Sequence, residues 1–282
     1  MARHIRLDRE LVRRGLARSR EQAAALVEAG RVQVRGVPAR KVAALVDPAD
    51  PVRVVGEDPT LEYVSRGGHK LAGALAVFGP TGLQVTGRRC LDAGASTGGF
   101  TDVLLRAGAR EVIAVDVGYG QLAWTLRNDA RVRVFERTNV RTLEPALIGG
   151  PVDLTVADLS FISLRLVLPA LAACTRTEGD LVLMVKPQFE VGKDRVGPGG
   201  VVRDPELRAE AVLDVTTVAA QLGLGLVDVT ASPLPGPSGN VEFFVWLRQG
   251  APAVDDLRVR AVVAAGLVTE ETMVEPAGGE AR

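Results

Sequence analysis

Cys90-Leu91-Asp92-Ala93-Gly94-Ala95-Ser96-Thr97-Gly98-Gly99-Phe100 is the stretch on which the fold turns. An apolar run meets an aspartate, passes through a turn with glycine at 94, 98 and 99, and resumes as a helical pattern at Phe100. A strand that enters a helix through such a turn can bring backbone N–H groups close to a ligand. Glycine has no Cβ in the way, and the first N–H groups of a helix lack partners within it. A dinucleotide fingerprint starting at Gly94 would need glycine at 96; Ser96 stands there and argues against nicotinamide chemistry.

Outward from that turn, apolar strand-like runs alternate with helical patterns. Strands are expected at 88–92, 112–116, 132–136, 152–158, 180–186, 225–229 and 241–247, and helices at 100–107, 121–128, 164–174 and 205–222. This alternation predicts an α/β domain with a mostly parallel sheet and helices on both faces. Ligands of such sheets bind beyond the carboxyl ends of the strands, where Asp92, Asp116, Asp158 and Lys186 all fall.

Before this domain the charge balance changes. Residues 1–53 carry twelve Arg and Lys against six Asp and Glu, and by difference from 34 of each the remainder holds 22 against 28. A basic head on an acidic body points to a polyanionic partner at the N-terminal end. Helices are expected over 7–15 and 19–29, with Gly15 and Gly30 as stops and Ser19 with Gln22 as a capping box. A strand and hairpin around Val32, Val34 and Gly36-Val37-Pro38 come next, closed by Val52-Arg53-Val54-Val55. Guanidinium groups on such helix ends and turns can bracket phosphates, a mode suited to folded RNA. Arg6-Leu-Asp8, Gly15-Leu-Ala-Arg-Ser19-Arg20, Gly30-Arg-Val32-Gln-Val34 and Lys41 resemble the small RNA-binding module shared by bacterial pseudouridine synthases, a tyrosyl-tRNA synthetase and a small-subunit ribosomal protein. The expected division is an α+β RNA-binding module at 1–57, a linker at 58–65, the α/β domain at 66–250, and an extension at 251–282 with a helix over 255–265 and a frayed tail from 268. The RNA contacts expected are Arg6, Arg9, Arg13, Arg20, Arg31, Arg35, Lys41, Arg66 and Lys193.

Asp92-x-Gly94-x-x-x-Gly98-Gly99 resembles the first motif of class I S-adenosylmethionine methyltransferases. That resemblance implies a Rossmann-like sheet whose last strand is antiparallel. It also implies a cofactor site formed by Asp92, Gly94, Ala95, Ser96, Gly98, Gly99, Phe100, Asp116, Asn139 and Asp158. Asp92 would face the ligand's ammonium and Asp116 its ribose hydroxyls, with Asn139, after the third strand, near the adenine.

Residues just past the fourth strand narrow the choice of acceptor atom. Enzymes that methylate exocyclic amines tend to carry an Asn-Pro-Pro-Tyr-like motif there, whereas this chain has Asp158-Leu-Ser-Phe161. Cytosine C5 methylation needs a nucleophilic cysteine, and neither Cys90 nor Cys174 stands at a strand's carboxyl end. A ribose hydroxyl is a very weak acid, so a cation must stabilise the alkoxide or a base must take the proton. Lys186, closing the apolar strand Leu181-Val-Leu-Met-Val185 just before Pro187, can do either. Lys70, Asp158, Lys186 and Glu242 stand in an order that resembles the FtsJ-like ribose 2′-O-methyltransferases. With Tyr63-Val-Ser-Arg-Gly-Gly, Lys186-Pro-Gln-Phe-Glu190 and Gly236-Pro-Ser-Gly-Asn-Val-Glu242, residues 3–248 resemble the TlyA family, haemolysin-named enzymes that methylate cytidine 2′-hydroxyls of ribosomal RNA. By that resemblance Lys186 acts at the hydroxyl, Asp158 orients it, and Lys70 and Glu242 balance charge around the acceptor ribose. The cofactor would be S-adenosylmethionine and the partner ribosomal RNA or ribosomal subunits.

Hydrophobic residues at 47% and charged residues at 24% are those of a folded globular protein. No run approaches the ~18 apolar residues of a membrane span, so a cytoplasmic monomer without a metal is expected, its two cysteines serving as packing residues. His69 lacks a carboxylate partner in sequence and is read as incidental, while the glycine-rich stretch 191–200 is read as a mobile lid. Two rival functions remain. A membrane-active haemolysin would need an amphipathic or spanning segment, and a small-molecule O-methyltransferase would keep its activity without residues 1–58.

Overall fold

The computed structural model describes residues 5–14, 16–17, 19–28, 30–48, 50–54, 63–252 and 254–274. Side chains of Arg53 and of residues 267–274 are not among the described parts, and the expected stop at Gly15, linker residues 58–62 and tail residues 275–282 lie outside them. The chain divides into two compact units, Met1–Leu61 and Glu62–Arg282.

In the first unit, β1 (Ile5–Arg6) leads into α1 (Leu7–Arg13) and α2 (Arg20–Glu28). The strands β2 (Val32–Val34), β3 (Val37–Pro38), β4 (Leu45–Val46) and β5 (Val52–Val54) come after them. Leu7 and Leu11, one helical turn apart, are fully buried against Ala23, Leu26, Val27 and Val32. Ser19 Oγ accepts from the Gln22 N–H at 3.1 Å and fixes the start of α2 as expected. The β2–β3 turn is Arg35-Gly36, both at positive φ, which matches the twist of a two-residue hairpin. β1 pairs antiparallel with β4, an element that the sequence does not announce because two residues are too few to show alternation.

The second unit runs α3 (Arg66–Phe78), β6 (Arg89–Ala93), α4 (Gly99–Arg106), β7 (Glu111–Val115), α5 (Trp124–Arg127), β8 (Val132–Phe135), β9 (Val152–Ala157) and α6 (Leu164–Cys174). It continues with β10 (Thr175–Val185), α7 (Pro187–Glu190), α8 (Pro205–Gln221), β11 (Leu224–Ala231), β12 (Phe243–Gln249) and α9 (Asp256–Val274). Its seven strands are ordered β11-β12-β10-β9-β6-β7-β8. β12 is antiparallel to both neighbours, and the pairs β10–β9, β9–β6, β6–β7 and β7–β8 are parallel, as the resemblance implied. Alternate residues of each central strand serve opposite faces. Leu181, Leu183, Val185, Phe243 and Val245 join the core shared with α6, α8 and α9, while Val182, Met184, Phe244 and Trp246 join the core shared with α3 and α4.

Two expectations are corrected. The helix expected over 121–128 shrinks to Trp124–Arg127, because the preceding residues turn back onto Asp116, whose Oδ1 accepts from the Gly118 N–H at 2.6 Å. The C-terminal helix does not end at 265 but continues to Val274; a Cβ on Gly266 would lie 3.2 Å from that of Ala231, so glycine there suits close packing on β11 rather than a stop. The stretch 191–200 is built of short turns at Lys193–Arg195 and Pro198–Gly200, and Asn240 donates to the carbonyl of its last residue, Gly200, at 2.8 Å.

Candidate active site

The carboxyl ends of β6, β9, β10 and the start of β12 gather the charged residues. Lys186, one residue past β10, is 8% exposed, and its Nζ lies 2.5 Å from Asp158 Oδ1, one residue past β9. The same ammonium donates to Ser160 Oγ at 3.1 Å. The Asp158 contact is an ion pair and not a hydrogen bond, since Asp158 Oδ1 has no hydrogen-bond partner. On the neighbouring strand, Glu242 precedes Phe243, the register partner of Val185. Glu242 is 1% exposed, and its Oε2 accepts from Lys70 Nζ of α3 at 2.5 Å. The four residues thus form two ion pairs at one end of the sheet. Glu242 Oε1 is buried without a hydrogen-bond partner.

Gly94 shows why glycine is required in the turn after β6. Its φ is +87°, and a Cβ there would stand 2.5 Å from the Asp158 carbonyl oxygen. Gly98 and Gly99 answer to protein contacts as well: a Cβ on Gly98 would strike Leu126, and one on Gly99 would strike Ser65 Oγ. The ligand-approach rationale for these two glycines is therefore incomplete, because packing against Leu126 of α5 demands the first and packing against the start of α3 the second. Phe100 is buried against Phe244, with ring centroids 6.0 Å apart, so its side chain is a core element and only its backbone faces the turn.

Asp92 is fully buried; Thr101 Oγ1 donates to its Oδ2 at 2.6 Å, and its Oδ1 has no hydrogen-bond partner. Burial pushes its pKa up to about 7, with the negative charges of Asp158 and Asp116 adding to the rise. An unpaired buried carboxylate oxygen suits an incoming ammonium, so the residues present fit the methionine end of S-adenosylmethionine. Asp116 accepts from the Ser96 N–H at 2.7 Å, holding Ser96 in a left-handed conformation at φ 47°. Beside it opens a small pocket lined by Ala95, Ser96, Asp116, Gly118, Gln121 and Glu136, among others. Asn139 is not in that lining, and its side-chain oxygen accepts from the Arg141 N–H and caps a helical turn. Gln121 and Glu136 carry no motif that would mark them in the sequence.

Ser160, Phe161 and Glu190 lie in stretches quoted from the sequence, but no role is assigned to them there. Phe161 is 91% exposed at φ 63°, with its ring 5.3 Å from that of Phe189. A bulky residue in the left-handed region is an outlier that clusters at functional sites. No local sequence signal marks it.

Of the expected RNA contacts, Arg9, Arg13, Arg20, Arg35, Lys41, Arg66 and Lys193 are exposed. Arg6 and Arg20 are bound to buried Asp8 at 3.0 and 2.8 Å, Arg13 to buried Glu10 at 2.6 Å, and Arg35 to Asp50 at 2.7 Å. Asp8 and Glu10 stay charged: their guanidinium partners hold Asp8 well below the ordinary range and Glu10 at about 2. Arg31 is half-buried just before β2. His69 packs edge-on against Tyr63, with ring centroids 5.1 Å apart. Among the described residues no cluster of His, Cys, Asp or Glu is arranged to hold a metal, and no helix is long and apolar enough to cross a membrane.

Comparison with known proteins agrees with this geometry. Residues 63–249 match the FtsJ-like methyltransferase family and residues 5–52 the S4 domain. A Mycobacterium tuberculosis protein named 16S/23S rRNA (cytidine-2′-O)-methyltransferase TlyA is 63% identical over 88% of this chain and 91% of its own. The chain belongs to the TlyA family of FtsJ-like methyltransferases. A Brachyspira hyodysenteriae relative named Hemolysin A is 37% identical over 85% of this chain and 98% of its own. The solved structure of a hemolysin-named protein from Streptococcus thermophilus is 40% identical, with a TM-score of 0.78 over 98% of this chain and all of that one. The TlyA family thus pairs, in this chain, an S4 domain with an FtsJ-like domain whose two ion pairs meet at the strand ends.

Proposed function

We propose that this chain transfers the methyl group of S-adenosylmethionine to the 2′-hydroxyl of cytidine in ribosomal RNA. The observation that carries the reading is the Lys186 ammonium, ion-paired with Asp158 at 2.5 Å and hydrogen-bonded to Ser160 at the strand ends. Bound S-adenosylmethionine supplies an electrophilic methyl on a sulfonium, which an oxygen attacks in line. Asp92 Oδ1 is suited to its ammonium, and Asp116, which has lone pairs beyond those used by Ser96 and Gly118, to its ribose hydroxyls. Gln121 and Glu136 border the adjoining pocket. Lys186 faces the acceptor oxygen and stabilises the negative charge that develops there as the hydroxyl proton passes to water. Asp158 fixes the direction of that ammonium, and the Lys70–Glu242 pair adds no net charge beside it. The arginines and lysines of the S4 domain hold the RNA by its backbone, with Arg66 and Lys193 adding contacts from the second unit.

The enzyme is tested by incubation with labelled S-adenosylmethionine and ribosomal subunits, and then alkaline hydrolysis of the RNA. A 2′-O-methyl blocks cleavage at its own position, so label in an alkali-resistant dinucleotide beginning with cytidine is expected. Label released with single nucleotides would place the methyl on a base and overturn the reading.

A further inference from the structure

Glu190 ends α7, four residues beyond Lys186, and is 3% exposed. Its Oε2 accepts from Ser163 Oγ at 2.5 Å and its Oε1 from the Leu164 backbone N–H at 2.7 Å. Ser163 is the N-cap of α6 and accepts from the Arg165 N–H at 3.2 Å. Arg165 closes the arrangement, its Nε 3.4 Å from Glu190 Oε2 and its Nη2 donating to the Glu190 carbonyl at 2.9 Å. The first turn of α6 is therefore satisfied in part by a carboxylate from the segment after β10.

The two segments joined in this way are those that carry the reacting groups. Residues 158–163 hold Asp158 and Ser160, and residues 186–190 hold Lys186. They meet twice, at Lys186–Asp158 and at Glu190–Ser163, with the Phe161 and Phe189 rings between. Pro187 at the first helical position stiffens the shorter side. Burial works to raise the pKa of Glu190 against these hydrogen bonds, so a carboxylate is a costly way merely to cover a helix end.

We propose that Glu190 is a positioning residue for methyl transfer, clasping the β9–α6 loop to α7 so that the Lys186 ammonium is held between Asp158 and Ser160. This rests on the reading that Lys186 acts at the acceptor oxygen. Glu190 touches neither substrate nor cofactor; it sets the direction of a group that does.

The test uses the full chain with ribosomal subunits, measuring kcat, KM for RNA, cofactor Kd and Tm. For Glu190→Ala, kcat is expected to fall about 10- to 100-fold, the scale of a ~1 Å misplacement, with KM and cofactor Kd within about threefold. In Glu190→Gln, the carboxamide can still accept from Leu164 and donate to Ser163, so at least about a third of kcat should return. Arg258→Ala, which breaks a distant pair with Asp228, is the control for lost stability and should keep its kcat. Should Glu190→Ala fail to fold, Ser163→Ala removes one arm of the clasp and should lower kcat in the same direction. A kcat within about threefold of wild type in Glu190→Ala, a change confined to KM, a glutamine variant as slow as alanine, or an equal loss in Arg258→Ala each overturns the proposal. If Lys186→Ala is inactive while Glu190→Ala runs at full rate, only the Glu190 role falls. If wild type transfers no methyl to RNA, the functional reading falls with it.

Discussion

Lys186 and Asp158 stand one residue past the ends of adjacent parallel strands, and their charged atoms meet at 2.5 Å. Parallel pairing of β9 and β10 requires the chain to cross back through α6, so residues 28 positions apart end on the same rim. A pair so placed faces the end of the sheet where ligands of this fold bind.

Lys186→Ala should remove turnover and leave cofactor binding nearly intact. Loss of a positioned cation or base at the acceptor is worth about 10²- to 10⁴-fold in kcat. Equilibrium dialysis should give a cofactor Kd within about threefold of wild type, because Asp92 and Asp116 are untouched. Methyl transfer at a near wild-type rate would remove Lys186 from the chemistry.

By the proposed place of Asp92 at the cofactor's ammonium, cofactor affinity should depend on pH. Its pKa, about 7 against an ordinary 3.8, means that the cofactor-free protein holds a proton there which the unfolded chain has released. The stability this group contributes is therefore present below the unfolded pKa and lost as pH rises through about 7. Asp92→Asn should melt higher than wild type at alkaline pH, with the gap closing on acidification. The cofactor's ammonium requires the ionised form, so wild-type affinity should weaken below neutrality by up to about tenfold per pH unit. Calorimetric Kd values that stay flat from pH 5 to 8 would contradict the assignment.

These residues show where sequence is informative and where it is not. The turn at 92–100 and the limits of α6 are legible because each has a local pattern, glycines in the one and an apolar helical run in the other, whereas the antiparallel direction of β12 comes from the resemblance alone. Lys70, Asp158, Lys186 and Glu242 are legible as strand-end and helix-start charges. Their division into Lys70–Glu242 and Lys186–Asp158 is not, since pairing over such separations is fixed only by register. Ser160, Glu190 and Phe161 stay hidden because their roles lie in contacts or dihedrals that no neighbour in the chain encodes. In the sequence Arg6, Arg13 and Arg20 look open to phosphate, whereas Asp8 and Glu10, buried beneath them, claim part of each guanidinium.

That division among the arginines separates two kinds of RNA mutant. Arg9 and Lys41 are exposed, so the double variant Arg9→Ala, Lys41→Ala should weaken RNA binding with little change in Tm. The slope of log K against log salt should flatten by roughly 1.5, the release of two counterions. Arg6→Ala should lower Tm as well, because it withdraws a partner from buried Asp8. An unchanged salt slope in the double variant would move the RNA path elsewhere.

Phe161 offers an exposed ring beside the lysine segment. Stacking of a nucleic-acid base on an aromatic side chain is worth about 1–3 kcal/mol, so Phe161→Ala should reduce kcat/KM for ribosomal subunits by roughly 5- to 150-fold. Surface truncation alone changes stability by only about 0.5 kcal/mol. Normal kcat/KM in that variant would show that the ring does not meet the RNA.

At the opposite end of the sheet, Asp180 should matter for folding and not for chemistry. It is fully buried, and its carboxylate accepts from Arg88 Nη1 at 2.5 Å, Trp246 Nε1 at 2.7 Å and Arg248 Nε at 2.8 Å. Burial opposes ionisation, but these donors outweigh it and hold the pKa below the ordinary value. Removing such a carboxylate strands its partners, so Asp180→Ala should lose about 3–5 kcal/mol in urea denaturation at pH 7. Because the native pKa is depressed, the stabilisation is present above the unfolded pKa and lost as pH falls through the native one, so the gap between variant and wild type should narrow towards pH 3. Lys186 lies six residue steps along extended strand from Asp180, roughly 20 Å at ~3.3 Å per residue. Well below its Tm the variant should therefore keep a wild-type kcat per folded molecule, and a kcat that fell with stability intact would tie this end of the sheet to the transfer step.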